Sequence, residues 1–272
     1  MGGVERVSGV HLIDIGLNLT HRSFAKDTAA VLERAQQAGV VHMVVTGTSL
    51  EASRNAVTLA KHHPGLLSAT TGVHPHDAKH WDDSTAAELR TLAASPQVLA
   101  IGECGLDFDR DFSPRPDQER CFEAQLALAV ETGLPVFLHE RRAHARFVAI
   151  LEQYRPQLCD VVVHCFTGSG AELRRYLELD AHIGITGWIC DERRGKELQG
   201  LVGDIPANRL MLETDAPFLT PRDLRPKPPR RNEPSFLPHI LHTVARLRGD
   251  TPQELGEAVT ATTCRFFGLA LG

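Results

Sequence analysis

Short apolar segments rich in β-branched residues alternate with longer amphipathic segments along almost the whole chain. Apolar runs of this length predict buried β-strands, and the amphipathic segments between them have the period of α-helices. Strands that alternate with helices form βαβ crossovers, which predict a parallel sheet. The predicted strands are residues 11–17, 40–47, 66–74, 98–105, 135–140, 160–166, 181–188 and 209–215.

The number of strands favours a closed barrel. Eight βα units at a spacing of roughly thirty residues are what a (β/α)8 TIM barrel needs, whereas a doubly wound open sheet more often has about five or six strands. The 272 residues of the chain also suit one such barrel, which takes about 250 residues. We therefore predict a single α/β barrel domain over residues 11–272, after an N-terminal extension over residues 1–10 that we expect to be flexible.

The overall charge limits how a polyanionic partner could bind, and the cysteines indicate the cellular compartment. The formal net charge is −5, so a polyanionic partner would have to bind a local basic patch. The six cysteines form no CxxC pair and several lie in apolar runs, which is typical of a reducing compartment. No segment has the pattern of a signal peptide or a membrane span, so we expect a cytoplasmic protein without membrane association.

Four of the apolar runs end on a side chain that can bind a metal. Glu103 lies at the end of the predicted strand four, His139 on strand five, His164 on strand six and Asp215 on strand eight. In a parallel barrel the carboxyl ends of the strands share one face, so these side chains are expected to converge there. One histidine at a strand end is more often a structural residue, but four such residues at one catalytic face predict a divalent metal site.

The donor set and the reaction chemistry leave several alternatives open. Two imidazoles with two carboxylates suit zinc or manganese, whereas magnesium prefers oxygen ligands. A bound ion would act as a Lewis acid and lower the pKa of a water molecule, which predicts hydrolysis. Asp215 is then either a ligand or the base for that water, and Glu103 is predicted to be catalytic as a ligand.

Several motifs together resemble the TatD family of metal-dependent deoxyribonucleases. They occur in the order of the family and extend from about residue 11 to the C-terminus. The motifs are GVHPHD (72–77), AIGECGLDF (100–108), HCFTG (164–168), GITGWICDERRG (184–195), ETDAP (213–217) and PRDLRPKPPRRNEP (221–234).

The resemblance implies a TIM barrel of the amidohydrolase type that hydrolyses phosphodiester bonds in DNA. It further implies magnesium-dependent 3'-to-5' exonuclease action on single-stranded DNA and on RNA, with a role in DNA repair or degradation. A monomer that needs no obligate protein partner is expected. By the same resemblance, His74 is expected to bind the scissile phosphate, and His76 to be a supporting or turn residue.

The first strand departs from the family pattern. Most members carry Asp-x-His-x-His there, whereas this chain has Asp14, Gly16 and Asn18. Glycine offers no ligand atom and the asparagine only a weak carbonyl oxygen. We therefore predict one well-formed metal site built from Glu103 and the histidines of strands five and six, with a second site weak or absent.

A basic, proline-rich loop follows the eighth strand. From Arg222 to Arg231 it carries five cations against the single carboxylate of Asp223. At the catalytic face these cations would hold a nucleic-acid backbone, and Arg230 and Arg231 are predicted to bind phosphate. The basic loop argues against the first rival function, hydrolysis of another ester or amide on the same barrel. The second rival is a nucleic-acid-binding protein with weakened catalysis.

Overall fold

In the computed structural model, the described chain comprises residue 7 and residues 9–226 and 231–270. Within it, eight strands form one sheet in the order β1 to β8. The pairs β3–β4, β4–β5, β5–β6 and β7–β8 are parallel. The strands are β1 (Leu12–Leu17), β2 (Val40–Val45), β3 (Leu67–Thr71), β4 (Val98–Asp107), β5 (Val136–Arg141), β6 (Val161–Val163), β7 (His182–Ile185) and β8 (Leu210–Leu212).

Hydrogen bonds also join the first strand to the segment that follows the last one. The Asp215 amide donates to the Gly16 carbonyl at 2.9 Å, and the Asn18 amide donates to the Ala216 carbonyl at 2.7 Å. All eight predicted strands are present, and the predicted (β/α)8 TIM barrel is confirmed. The extension predicted over residues 1–10 lies largely outside the described residues.

Helices separate the strands as predicted, and side chains fix several of their ends. The Ser49 hydroxyl caps α2, and Thr251 and Glu254 form a capping box on α9. The chain turns left-handed at Gly133 and Gly249 after two of the helices. The helices are α1 (Thr28–Gln37), α2 (Leu50–His62), α3 (Asp83–Ala93), α4 (Arg115–Thr132), α5 (His144–Tyr154), α6 (Gly170–Glu178), α7 (Lys196–Leu201), α8 (Leu237–Arg248) and α9 (Pro252–Phe267).

The chain divides into two compact units. One comprises residues 1–44, 165–177 and 182–272, and the other comprises residues 45–164 and 178–181. The second unit contains β3 to β6, whose buried side chains include Ile101, Leu106 and Phe137. Such strands read as continuous apolar runs, which is why the sequence revealed them. No helix of the described residues is both long and apolar enough to cross a membrane.

Several strands are shorter than predicted, and after β6 and β8 the reason is that the chain leaves the extended conformation. β6 ends at Val163, and Cys165 has a φ of 48°. β8 ends at Leu212, and Asp215 has a φ of 53°. A residue other than glycine with a φ near 50° is in the left-handed region and does not continue a strand. His164 therefore directly follows its strand, whereas Asp215 lies in the turn after β8.

A bulge in β4 interrupts the regular pairing with β5. Ile101 pairs with Val136 and Cys104 with Leu138, so one extra residue of β4 lies between these pairs. Bulges of this kind re-aim side chains and often lie beside active sites. Glu103, the ligand predicted on this strand, lies within the bulge.

Gly105 lies just after the bulge, where β4 and β5 approach closely. Its φ is 147°, and a Cβ atom at this position would lie 1.8 Å from the His139 carbonyl oxygen. Only glycine fits both the backbone angle and the space. The close approach holds β4 against the part of β5 that carries His139.

Gly105→Ala should destabilise the protein by at least about 2 kcal/mol, because the added methyl group collides with the neighbouring backbone. The free energy of unfolding in urea measures this loss. Gly203→Ala is the matched control, since nothing lies within 4 Å of a Cβ atom there, and its effect should stay within about 0.5 kcal/mol. Equal stabilities of the two variants would contradict the account.

Candidate functional site

Three imidazole rings surround one carboxylate oxygen in the second unit. Glu103 Oε1 lies 2.7 Å from His164 Nε2, 3.0 Å from His139 Nδ1 and 3.4 Å from His74 Nε2. Glu103 and His164 are each only 5% exposed. We call these four residues the Glu103 cluster. It brings together three of the four predicted metal ligands and the predicted phosphate-binding histidine.

Backbone hydrogen bonds between neighbouring segments position the cluster. The Glu103 amide donates to the Gly47 carbonyl at 2.8 Å, and the His164 amide donates to the Leu138 carbonyl at 2.9 Å. The His74 amide donates to the Thr48 carbonyl at 2.9 Å. Each chemically active side chain thus extends from a backbone fixed by its neighbour, which limits the freedom of the site.

The ring nitrogens of His139 and His164 are arranged as ligands of a cation. His139 Nδ1 and His164 Nε2 lie 3.4 Å apart, and both face the same Glu103 oxygen. Two nitrogens and a carboxylate oxygen are donors that divalent metals accept. The donor set therefore fits a divalent metal.

The ring of His74 has a different hydrogen-bond pattern. Its Nδ1 accepts the backbone N–H of His76 at 3.1 Å, so the proton of a neutral ring is on Nε2. Burial lowers the pKa of His74 to about 4, which keeps the ring neutral at pH 7. His74 Nε2 is then a hydrogen-bond donor directed into the cluster, and a nitrogen that carries a proton cannot bind a metal.

Asp107 is a site residue that the sequence analysis missed. It is 1% exposed and its Oδ2 lies 2.7 Å from His76 Nε2 and 3.7 Å from His139 Nε2. A carboxylate behind a ligating histidine orients the ring. The signal was present in the motif ECGLD, because Glu103 and Asp107 are an even number of residues apart on one strand.

The ionisable groups around Glu103 and Asp107 shift the pKa values of these two carboxylates. Burial raises the pKa of Glu103, but the imidazoles of His164, His74 and His139 outweigh this and hold the pKa well below its ordinary value. Burial likewise raises the pKa of Asp107, whereas the rings that face it lower the pKa below the ordinary value. Both carboxylates are therefore ionised near neutral pH and can stabilise a cation.

Asp215 belongs to the other unit, and so do the first-strand residues that distinguish this chain. The Asn18 amide nitrogen donates to Asp215 Oδ1 at 3.0 Å. Asp14 is fully buried and accepts hydrogen bonds from the Thr214 backbone at 2.9 Å and from the Thr214 hydroxyl at 2.5 Å. Burial raises the pKa of Asp14 to about 7. These contacts give Asp14 a structural role, and the grouping of Asp215 with the cluster stays a prediction.

Arg231, at the end of the basic loop, is bound to the turn before helix α1. Arg231 donates to both carboxylate oxygens of Asp27, at 2.8 and 2.7 Å, and to Glu233 at 2.5 Å. Its guanidinium also lies 4.7 Å from the centre of the Phe24 ring. These contacts favour a structural role for Arg231 over the phosphate binding predicted from the sequence, which they do not test. Arg230 lies outside the described residues.

A second group of ligand-capable side chains lies in the first unit. Cys190, Asp223 and His239 each offer an atom within 4.8 Å of the others. His239 Nε2 lies 2.6 Å from Asp223 Oδ1, as in an ordinary ion pair, and burial raises the pKa of Cys190 to about 12. A protonated thiol is a poor ligand, so this group fits a metal less well than the Glu103 cluster.

Comparisons with known proteins agree with the barrel and the motifs. The YjjV protein of Escherichia coli K12, a TatD homologue, has a TM-score of 0.87 and 29% identity over 95% of this chain and 98% of that one. An uncharacterised amidohydrolase from Saccharomyces cerevisiae has a TM-score of 0.84 and 27% identity, over 95% of this chain and 100% of that one. A D-hydantoinase at 13% identity, with a TM-score of 0.64 over 94% of this chain and 70% of its own, shares the fold alone.

Relatives of higher sequence identity specify the family to which the chain is related. A protein of Erwinia tasmaniensis named 3'-5' ssDNA/RNA exonuclease TatD is 56% identical over 259 residues, which are 95% of this chain and 100% of the relative. A protein of Dickeya dadantii with the same name is 54% identical over 257 residues, 94% of this chain and 97% of the relative. Residues 13–268 match the family described as TatD related DNase. The resemblance of the motifs is thereby confirmed, and the chain belongs to the TatD family of deoxyribonucleases.

Proposed function

We propose that this protein is a metal-dependent exonuclease that removes nucleotides from the 3' ends of single-stranded DNA and RNA. The observation that carries the proposal is the convergence of His139 and His164 on Glu103 Oε1, at 3.0 and 2.7 Å. Relatives that are 53–56% identical are named 3'-5' ssDNA/RNA exonuclease TatD. Their names support the cleavage of phosphodiester bonds from the 3' end of the strand. We further infer a cytoplasmic enzyme, since the cysteines are free thiols, as in a reducing compartment.

Glu103, His139 and His164 would hold the ion, and magnesium is our proposal because the family resemblance implies it. A divalent ion there supplies Lewis acidity, which polarises a phosphoryl oxygen and makes water a better nucleophile. Gly16 and Asn18 supply no imidazole on the first strand, so we propose one tightly held ion. Asn18 instead donates an amide hydrogen to Asp215.

The other residues of the cluster bind and orient. His74 would donate its Nε2 hydrogen to an oxygen of the scissile phosphate, because its Nδ1 is occupied by the His76 backbone. Asp107 holds the ring plane of His76 through its Oδ2, at 2.7 Å, and places a negative charge 3.7 Å from His139 Nε2. Asp215 is proposed as the base that receives a proton from the attacking water. This last role rests on the motif ETDAP and not on a distance.

His139→Asn should lower kcat/KM for nucleotide release by at least about 100-fold, since it removes one ligand of the metal. The assay measures mononucleotides released from labelled single-stranded DNA with magnesium or manganese present. Manganese binding, measured by calorimetry, should weaken in parallel.

His239→Asn is the matched control, because His239 also bonds a carboxylate but belongs to the second ligand-capable group. It should keep both manganese binding and kcat/KM within about threefold of the unchanged protein. An active His139→Asn protein, or equal losses in both variants, would reject the Glu103 cluster as the metal site. An unchanged protein that releases no nucleotides with any divalent metal would reject the exonuclease function.

Arg231→Gln should lower the free energy of unfolding by about 1–2 kcal/mol, because Asp27 and Glu233 lose a partly buried partner. The dependence of DNA binding on salt should remain unchanged, since the guanidinium is committed to these carboxylates. Arg34→Gln is the control, because Arg34 bonds the same Glu233 at 2.8 and 2.9 Å. The slope is that of log binding constant against log salt concentration. If its magnitude falls by about 0.7 in Arg231→Gln but not in Arg34→Gln, Arg231 contacts a phosphate.

A further inference from the structure

Phe112 is an exposed aromatic side chain beside the Glu103 cluster. It is 57% exposed, and only Phe218, at 50%, is a comparably exposed large apolar residue among those the structure describes. A single exposed ring needs no explanation by itself. Its surroundings distinguish Phe112, because its neighbours hold its backbone in place and connect its ring to the cluster.

The backbone around Phe112 is fixed by buried polar contacts. The Lys79 ammonium donates to the Phe112 carbonyl at 3.2 Å. The adjacent Ser113 is fully buried, donates from its hydroxyl to the His76 carbonyl at 2.9 Å and accepts the Lys79 amide at 3.1 Å. Gln118 also donates to the Ser113 carbonyl at 2.9 Å. The ring is therefore presented by an ordered segment, which reduces the entropy lost when a ligand binds.

A continuous set of rings leads from Phe112 to the cluster. The centres of the Phe112 and His76 rings lie 4.7 Å apart with an interplanar angle of 62°. The His76 ring lies 4.2 Å from that of His74 and 6.4 Å from that of His139. Because His76 is held by Asp107, it supports Phe112 from one side and leaves the rest of the ring exposed.

We propose that Phe112, supported by His76, forms a nucleobase subsite on which a base at the 3' end of the substrate strand stacks. The proposal rests on the exonuclease function and deepens it. A phenyl ring has no hydrogen-bonding group, so this subsite accepts any base and does not read its identity. It would position the terminal phosphate of any sequence beside His74.

The size of the feature favours a base over a protein partner. A stable protein interface buries on the order of 1,200 Å² or more, far beyond one ring. Stacking of a base on an aromatic side chain contributes roughly 5- to 150-fold in affinity. One exposed ring next to a phosphate-binding centre therefore matches the size of a nucleobase.

The test compares Phe112→Ala with the unchanged protein on two single-stranded substrates that differ only at the 3' end. One ends in normal nucleotides and the other ends in abasic nucleotides. Phe112→Ala should raise KM on the normal strand by about tenfold, since the stacking contact is lost. On the abasic strand the difference between the two proteins should shrink to less than about twofold.

Two further variants separate stacking from folding. Phe112→Trp keeps an aromatic face and should restore a low KM on the normal strand, whereas Phe112→Leu should not. Phe218→Ala, compared by urea unfolding, gives the ordinary effect of removing an exposed phenyl ring, and Phe112→Ala should match it in stability. Equal losses on normal and abasic strands, or no loss on either, would overturn the subsite.

The outcomes distinguish this proposal from the function on which it rests. If the unchanged protein releases nucleotides but the effect of Phe112→Ala is the same on both strands, only the subsite is rejected. If the unchanged protein releases none with any divalent metal, the exonuclease function is rejected. The subsite is then judged by equilibrium binding of the same two strands, where an equal affinity of both proteins for the normal strand overturns it.

Discussion

One carboxylate oxygen, Glu103 Oε1, is the point on which the candidate site depends. Three imidazole nitrogens lie within 3.4 Å of it, on residues that follow or belong to β3, β5 and β6. These rings hold the pKa of the buried Glu103 well below its ordinary value. A buried anion surrounded by imidazoles is stable when a cation or protons compensate it, and a divalent metal at the proposed site would supply that compensation.

The barrel creates this arrangement through local departures from regular strand geometry. The bulge in β4 places an extra residue beside Glu103, and Gly105 lets β5 approach closely enough to present His139. A second buried anion, Asp107, lies 2.7 Å from His76 Nε2 and 3.7 Å from His139 Nε2, so it orients the His76 ring and adds negative charge beside His139. The ring of His76 also lies beside that of Phe112, so the features proposed for metal and base binding lie next to each other.

The sequence was informative where burial dictates residue type. Apolar β-branched runs revealed all eight strands, and the ends of these runs pointed to Glu103, His139 and His164, which the structure brings together. Asp107 was missed because its role depends on its distance from two rings, which spacing alone does not give. Phosphate binding by the basic loop was predicted from its positive charge. In the structure, Arg231 binds the carboxylates of Glu233 and of Asp27, which is distant in the sequence. Long-range pairing of this kind leaves no local pattern.

The most direct test of the central claim is the anomalous scattering of a crystal grown with manganese. The account predicts one strong peak between Glu103 Oε1 and the ring nitrogens of His139 and His164. A crystal without a peak there, or with its strongest peak at Cys190, Asp223 and His239, would contradict the assignment of the metal site. A second peak of equal strength would contradict the single tightly held ion.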